Sequence, residues 1–319
     1  MQKRNSICKT REPGIKKINL EVKIGDINFK NPVMNASGTF DFFEYMDFFN
    51  VNEMGAFIHK SITLKERKGN PPPRIAEVLG GMINSIGIQN EGVDKFSSFW
   101  QENKDFIKTN FIVSIAGTSY AEYEEIVEKL ESNSFFSGYE INISCPNIEK
   151  GGRSFGQSPK DTYEVVKRIK NKTRKTVIVK LSPFVTDITE IAKKSKEAGA
   201  DAITVANTIP AIKINLKTKK PSLGNIIGGL SGPVTKPIIM KLIYEIIKKN
   251  IKIPIIACGG ITNTEDALEY LALGASAVQI GTANFINPLV IKEVIEGLET
   301  YLLQQKIYDI MEFIGILKI

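Results

Sequence analysis

The chain has 319 residues and is 42% hydrophobic, enough to bury the core of one large domain or of two smaller ones. Its formal charge of +7 comes mainly from residues 1–20, which carry six basic side chains against Glu12 alone, so a nucleic-acid surface is not required. Three scattered cysteines, Cys8, Cys145 and Cys258, argue against a disulfide framework or a zinc site and are typical of a reducing cytosol. No apolar stretch approaches the ~20 residues of a membrane span, and no secretory signal is evident, so we expect a cytoplasmic protein.

In chain order, residues 1–17 are expected to form a basic tail, followed by a single domain of residues 18–319. Segments 18–24 and 27–29 around Gly25-Asp26 predict a β-hairpin. Beyond it, β-type segments alternate with amphipathic helices. The strands are expected at 32–37, 56–60, 111–115, 138–143, 177–181, 202–206, 254–258 and 277–280, and helices at 120–131, 159–170, 187–198, 236–248 and 264–273.

This alternation predicts an α/β fold, a parallel sheet covered by helices, and eight such units favour a closed (β/α)8 TIM barrel. The hairpin would then plug the bottom of the barrel, at the N-terminal ends of its strands. A doubly wound open sheet is the alternative, but no G-x-G-x-x-G pattern follows the first strand. Two long connections, 61–90 and 207–233, leave the C-terminal ends of strands, where barrel active sites are built.

Cys145 follows one of these strand ends, between the carboxamides of Asn142 and Asn147. Pro146 prevents the strand from continuing, so the thiol is presented at the barrel rim, where it could act as a base or a nucleophile. The only histidine, His59, precedes Lys60 and should face the helical layer as a structural residue, which leaves a Cys–His pair little support. Cys258 lies inside a strand and is expected to be inert packing.

Glycines follow the last two predicted strands, at Gly259-Gly260 and at Gly281-Thr282, and Ser231-Gly232 lies in the connection after the sixth strand. In a barrel these loops commonly bind phosphate, although ordinary tight turns would look the same.

Two lysines, Lys60 and Lys180, each end an apolar strand, where an ammonium group needs an anionic or hydrogen-bonding partner, unless it merely reaches out to solvent. Carboxamides gather at the same end of the predicted barrel and suit a ring with alternating donors and acceptors, or else simple turns; they are Asn84, Asn142, Asn147 and Asn207, with Thr208 beside the last.

These residues lie in ordered motifs that resemble the class 1 dihydroorotate dehydrogenases. The motifs are NASGTF at 35–40, KSIT at 60–63, GNPPPR at 69–74, NSIGIQN at 84–90, NISCPN at 142–147, VKLSP at 179–183, NT at 207–208, GGLSGP at 228–233, GG at 259–260 and GT at 281–282. The resemblance covers residues 18–298, and the GNPPPR run is more similar to the 1B type, whose catalytic subunit pairs with an iron–sulfur flavoprotein and uses NAD.

The resemblance implies a (β/α)8 barrel that binds one FMN and oxidises dihydroorotate to orotate in pyrimidine biosynthesis. It implies FMN contacts from Ser37, Lys60, Ser61, Asn142, Lys180, Ala206, Gly232, Gly259, Gly260, Gly281 and Thr282. It implies substrate contacts from Lys60, Asn84, Ser85, Ile86, Gly87, Ile88, Asn142, Asn147, Asn207 and Thr208. Cys145 would be the base, and no metal is implied.

The implied assembly is a homodimer joined to a partner subunit that carries FAD and a 2Fe-2S cluster, in a heterotetramer. One residue departs from the family pattern, because Thr118 stands where many members have Asn near the flavin.

Three other functions remain open. A dihydropyrimidine dehydrogenase-type FMN barrel would also use a cysteine, but its uracil or thymine substrate would not need Lys60. A fumarate-linked 1A dihydroorotate dehydrogenase would share the chemistry and differ in its electron acceptor. A tRNA-acting flavoprotein would need a basic surface on the body of the protein, which the charge distribution does not supply.

Overall fold

The computed structural model describes residues 17–144 and 154–317. Within these residues the sixteen strands are β1 (Val22–Ile24), β2 (Ile27–Phe29), β3 (Val33–Asn35), β4 (Ala56–Ile58), β5 (Ile75–Val78), β6 (Gly81–Asn84), β7 (Asn110–Ile115), β8 (Gly138–Asn142), β9 (Thr176–Lys180), β10 (Ala202–Val205), β11 (Ile209–Ile212), β12 (Ile214–Asn215), β13 (Lys220–Pro221), β14 (Ile227–Ser231), β15 (Ile255–Cys258) and β16 (Ala277–Ile280).

The helices of the same residues are α1 (Phe42–Tyr45), α2 (Val93–Asn103), α3 (Tyr120–Glu131), α4 (Pro159–Lys172), α5 (Ile188–Glu197), α6 (Lys236–Lys248), α7 (Thr264–Leu273) and α8 (Val290–Gln304). Five of them, α1, α3, α4, α5 and α7, begin with a side-chain cap. The Ser158 side chain accepts a hydrogen bond from the Asp161 amide, and Pro159 occupies the first turn of α4, where its missing N–H costs nothing. No helix among the described residues is long and apolar enough to cross a membrane.

Eight parallel strands close a barrel in the order β3, β4, β7, β8, β9, β10, β15 and β16, with β16 pairing back onto β3. The predicted (β/α)8 barrel is therefore confirmed, and all eight expected strands are present with ends that shift by a residue or two. The strands have both faces buried, one against the helices and one inside the barrel, which explains their apolar composition.

The predicted hairpin is formed by β1 and β2, with Gly25 at φ +57° in its turn. It contacts the N-terminal ends of barrel strands: the Asp26 amide donates to Thr176 Oγ1 at 3.1 Å, and Asn110 Nδ2 donates to the Asn28 carbonyl at 2.8 Å. Closure of the barrel bottom by this hairpin stays a prediction. Before it, Asn19 forms a parallel bridge with Asp309, at the other end of the described chain.

The two long connections form a second sheet that was not predicted. Strands β5 and β6 come from the first connection, β11 and β14 from the second, and they pair antiparallel in the order β11-β14-β6-β5. Strands β12 and β13 form a separate small hairpin within the second connection. Because β4 and β10 lead directly into these connections, the sheet lies at the C-terminal end of the barrel.

Candidate active site

A cavity of about 460 Å³ opens at the C-terminal ends of the barrel strands. That volume lies in the range of small-molecule and cofactor sites. Its lining includes every residue that the resemblance assigns to FMN, together with Asn84, Ile86, Gly87, Ile88, Asn207 and Thr208 from the substrate set. The charged side chains among the described lining residues are Lys60 and Lys180, with no carboxylate, so the cavity favours an anionic ligand.

Glycines line the end of the cavity formed by β14, β15 and β16. Gly260 has φ +70°, and a Cβ there would lie 2.6 Å from the Cβ of Lys236, so neither its conformation nor its surroundings tolerate a side chain. Gly232, with φ +105°, is equally confined by Gly81. Close by, the hydroxyls of Thr282 and Ser231 lie 2.7 Å apart. Glycine amides and hydroxyls side by side are suited to phosphate oxygens.

Carboxamides and hydroxyls form a connected chain at the C-terminal ends of β4, β8 and β10. Asn142 Nδ2 donates to Ser61 Oγ at 3.2 Å, and Asn207 Nδ2 donates to Asn142 Oδ1 at 3.2 Å and to Ser144 Oγ at 3.0 Å. Ser144 is the last described residue before segment 145–153. Cys145 and Asn147 therefore lie outside the described residues.

Lys60 lies at the end of β4 in a setting unlike that of Lys180. Its side chain is exposed, and its ammonium group makes no hydrogen bond or ion pair with another described residue. The preceding His59 faces away, as expected, and packs edge-on against Phe96 of α2 with ring centroids 4.8 Å apart. Burial lowers the pKa of His59 to about 4, although its contact with the Lys60 carbonyl at 2.8 Å favours the protonated ring.

The loop from Asn84 to Ile88 is held in place from both sides. Ile88 has φ +53°, an unusual value for a β-branched residue, and its carbonyl accepts a hydrogen bond from the buried Asn90 side chain at 2.8 Å. Ser85 differs from its neighbours in not lining the cavity. Its buried hydroxyl instead accepts hydrogen bonds from Asn70 at 2.8 Å and Asn225 at 3.3 Å. Ser85 therefore links the two long connections by hydrogen bonds.

Beneath the cavity lies a buried polar layer that the sequence analysis missed. Lys180 Nζ donates to Gln279 Oε1 at 3.0 Å and lies 3.5 Å from Glu140 Oε1. Glu140 Oε2 accepts from Gln279 Nε2 at 2.6 Å and from Thr204 Oγ1 at 3.0 Å. The sequence did carry a sign of this layer: a charged residue, Glu140, and an amide, Gln279, each lie inside a predicted strand between apolar neighbours.

Cys258, expected to be inert packing, is buried and also lines the cavity beside Lys180. Burial acts to lower the pKa of Lys180, whereas the Cys258 sulfur and the Glu140 carboxylate raise it, and the net shift is upward. Burial raises the pKa of Cys258 despite the nearby ammonium group. Lys180 is therefore a cation and Cys258 a neutral thiol.

Thr118 does not line the cavity. Its amide and hydroxyl both donate to Glu122 Oε2, at 2.6 and 2.8 Å, so its polar groups are hydrogen-bonded to the first turn of α3.

The cavity matches the parts of an FMN molecule. Its glycine end suits the phosphate, its opposite end offers amide and ammonium donors for a pyrimidine edge, and Leu230 and Ile239 supply apolar walls for flat rings. The confined glycines at 232 and 260 keep backbone amides accessible at that first end. The residues present therefore fit FMN.

Fold and site together define a (β/α)8-barrel enzyme with a cationic, glycine-lined cavity. A family model described as "Dihydroorotate dehydrogenase" matches residues 19–302. The chain therefore belongs to the dihydroorotate dehydrogenase family, a family of oxidoreductases.

Similar proteins cover almost the whole chain. Those from Thermoanaerobacter sp. (strain X514) and Desulforamulus reducens are each 46% identical to it, over 95% and 94% of this chain and 100% and 98% of the relative. One from Geotalea uraniireducens is 43% identical over 94% of this chain and 99% of the relative. All three carry the name "Dihydroorotate dehydrogenase B (NAD(+)), catalytic subunit".

Proposed function

We propose that the protein oxidises dihydroorotate to orotate in pyrimidine biosynthesis, with FMN as its bound cofactor. One observation carries the proposal: the cavity collects all the residues expected to hold FMN and most of those expected to hold the substrate around two lysines. The names of the relatives and the family match support the same reaction.

FMN supplies the hydride acceptor, which no protein side chain can be. The chain's own residues would hold the reactants. The ammonium group of Lys60, which has no ion pair with another described residue, would bind the substrate carboxylate. Asn142 and Asn207 would donate to and accept from the pyrimidine ring. Lys180, charged and directed by its buried partners, would stabilise negative charge that develops on the flavin.

Cys145 would remove the proton from C5 of dihydroorotate as the hydride leaves C6. A thiol with an ordinary pKa of about 8.5 is a better-matched base near neutral pH than a serine hydroxyl. Ser144, its neighbour in the chain, lines the cavity and accepts a hydrogen bond from Asn207 Nδ2 at 3.0 Å, and this supports the proposal.

Electrons would leave the flavin through a partner. We propose a homodimer joined to an iron–sulfur flavoprotein subunit that holds FAD and a 2Fe-2S cluster and reduces NAD+, since the relatives are named NAD-linked catalytic subunits. Exposed apolar side chains on the long connections, including Leu79, Leu216 and Ile227, offer contact surface for such partners. A cytoplasmic location fits the cysteine usage.

A pyrimidine reductase that acts on uracil or thymine is the second candidate, and Lys60 argues against it. Lys60 is exposed at the cavity and forms no ion pair within residues 17–144 and 154–317, so a ligand carboxylate would supply its missing counter-charge. A plain pyrimidine would leave this cation without a partner.

The test is anaerobic mixing of the purified protein with dihydroorotate, with dihydrouracil as the matched alternative, while the visible flavin absorbance is followed. Bleaching by dihydroorotate alone is the expected result. Bleaching by dihydrouracil alone would favour the second candidate. A folded protein that binds no flavin when FMN is supplied would contradict the proposal.

Replacing Cys145 by alanine should leave FMN bound and slow flavin reduction by dihydroorotate at least ~10²-fold, the usual contribution of a general base. Stopped-flow absorbance measures that rate, and Cys8→Ala, in the basic tail, is the control. Reduction at the wild-type rate in Cys145→Ala would reject this thiol as the base.

A further inference from the structure

Glu140 is a carboxylate enclosed in the barrel interior. Its side chain is 0% exposed, and it lies on β8 between Thr204 of β10 and Gln279 of β16. Burying a carboxylate costs several kcal/mol unless charge and hydrogen bonds replace its water. The two neighbours satisfy Oε2, whereas Oε1 makes no hydrogen bond and is left with the Lys180 ammonium group at 3.5 Å.

Lys180 is equally dependent on this arrangement. Its side chain is 8% exposed, and the groups that face it are Glu140, Gln279 and Cys258. Cys258 is a neutral thiol and Gln279 is uncharged, so Glu140 is the anion among the described residues that balances the lysine. Lys60, from β4, is the other charged side chain of the same cavity, and it is a cation.

We propose that Glu140 is a positioning residue for the flavin reaction: it keeps Lys180 charged and directed at the cavity before any electron arrives. The proposal rests on the proposed function, because it assumes that the cavity holds FMN. Glu140 itself does not line the cavity, so it acts on the flavin only through Lys180.

The proposal predicts how many protons the protein takes up when its bound flavin is reduced, and this number can be measured. In the wild-type protein Lys180 is charged throughout, so two-electron reduction of bound flavin to its anionic form takes up one proton. Without the carboxylate, desolvation lowers the pKa of Lys180, and the amine is neutral beside oxidised flavin. The negative charge of the reduced flavin then draws a second proton onto that amine, so reduction takes up two.

The experiment measures the midpoint potential of bound FMN as a function of pH, from about pH 6 to about pH 9, in the wild type and in Glu140→Gln. By proton linkage, the slope of potential against pH is proportional to the number of protons taken up. We expect the slope of Glu140→Gln to become twice that of the wild type above the new pKa of Lys180. Glutamine has nearly the same shape, so the packing changes little.

Three further variants make the result specific. Thr204→Val removes a hydrogen bond from the same carboxylate but keeps its charge, and should retain the wild-type slope. Glu140→Gln combined with Lys180→Met has no amine to titrate and should return to the one-proton slope. If Glu140→Gln does not fold, Glu140→Asp is used instead. Its shorter side chain moves the carboxylate away from Lys180, so the pKa of the lysine should fall less and the slope should steepen only at the upper end of the pH range.

A one-proton slope at every pH in Glu140→Gln, or in Glu140→Asp where the glutamine variant does not fold, would overturn the proposal. So would a doubled slope that persists when Lys180 is also replaced. Failure of the proposed function is seen separately, as a wild-type protein that binds no FMN or whose flavin is not reduced by dihydroorotate.

Discussion

At the scale of single residues, the two lysines of the cavity have opposite electrostatic settings. Lys180 is buried and neutralised by Glu140, whereas Lys60 is exposed and has no ion pair with a described residue. A paired lysine contributes little net charge to a ligand far away but a well-directed donor to a ligand nearby. An unpaired lysine contributes its full charge, which suits recognition of a substrate anion.

Lys60→Ala should therefore weaken dihydroorotate binding by about 10- to 100-fold, the equivalent of the ~1.5–3 kcal/mol assigned to a hydrogen bond to a charged group. Titration of the oxidised holoenzyme with orotate, followed by the flavin spectrum, measures the affinity. Lys65→Ala, an exposed lysine outside the cavity, is the control. Unchanged orotate affinity in Lys60→Ala would show that the carboxylate binds elsewhere.

Both lysines could be predicted from the sequence, but Glu140, the ion-pair partner of Lys180, could not. An ammonium group at the end of an apolar strand is conspicuous in any reading of the chain. Glu140 lies in a run of alternating polar and apolar residues, which is also the pattern of a strand with one face in water. Only the closed barrel shows that its polar face points into a buried interior, where Gln279 and Thr204 come from strands far along the chain.

At the scale of elements, the sequence predicts the eight barrel strands well because each is a local apolar run between helices. The sheet formed by the two long connections could not be predicted in the same way. Asn84 and Gly229, which pair across β6 and β14, are separated by 145 positions in the chain. Short polar and glycine-rich strands carry too weak a local pattern to reveal such a partner.

Gly229 is the point where this sheet meets Asn84 and Thr208, two of the residues proposed to bind substrate. A Cβ at this position would lie 1.9 Å from Thr208 Oγ1, and the Gly229 carbonyl accepts a hydrogen bond from Asn84 at 3.2 Å. Gly229→Ala should displace both side chains, raising KM for dihydroorotate at least ~10-fold while FMN stays bound, because a forced shift of this kind costs about 1–3 kcal/mol.

Steady-state kinetics and flavin content measure the two effects of Gly229→Ala separately. Ile227→Ala, on an exposed position of the same strand, should match the wild type in both. Loss of FMN together with substrate affinity would show that the sheet supports the whole cavity rather than its substrate end.

At the scale of the whole molecule, stability should depend on pH through the one histidine of the chain. His59 is packed among Phe96, Trp100 and Phe111, and burial lowers its pKa to about 4, below the ordinary 6.5. The unfolded chain therefore binds a proton that the folded protein does not, over the interval between these values. The folded protein has its full stability above the higher value and loses it as the pH falls toward the lower one.

Replacing His59 by phenylalanine should remove about 2 kcal/mol of the wild-type loss in unfolding free energy between about pH 7 and about pH 5. Urea unfolding at the two pH values measures the loss in each protein, and the carboxylates contribute alike to both. Equal losses in wild type and variant would show that His59 can be protonated without leaving its place.

The bridge between Asn19 and Asp309 joins parts of the chain separated by 290 positions. Leu20 and Ile310, beside that bridge, are both buried. During synthesis the segment around Asn19 is made long before the segment around Asp309. The apolar surface around Leu20 therefore stays uncovered until nearly all of the protein has been synthesised. Chains that terminate before residue 309 cannot form the Asn19–Asp309 bridge or bury Leu20 against it, and we expect such fragments to be targets for chaperones and proteases.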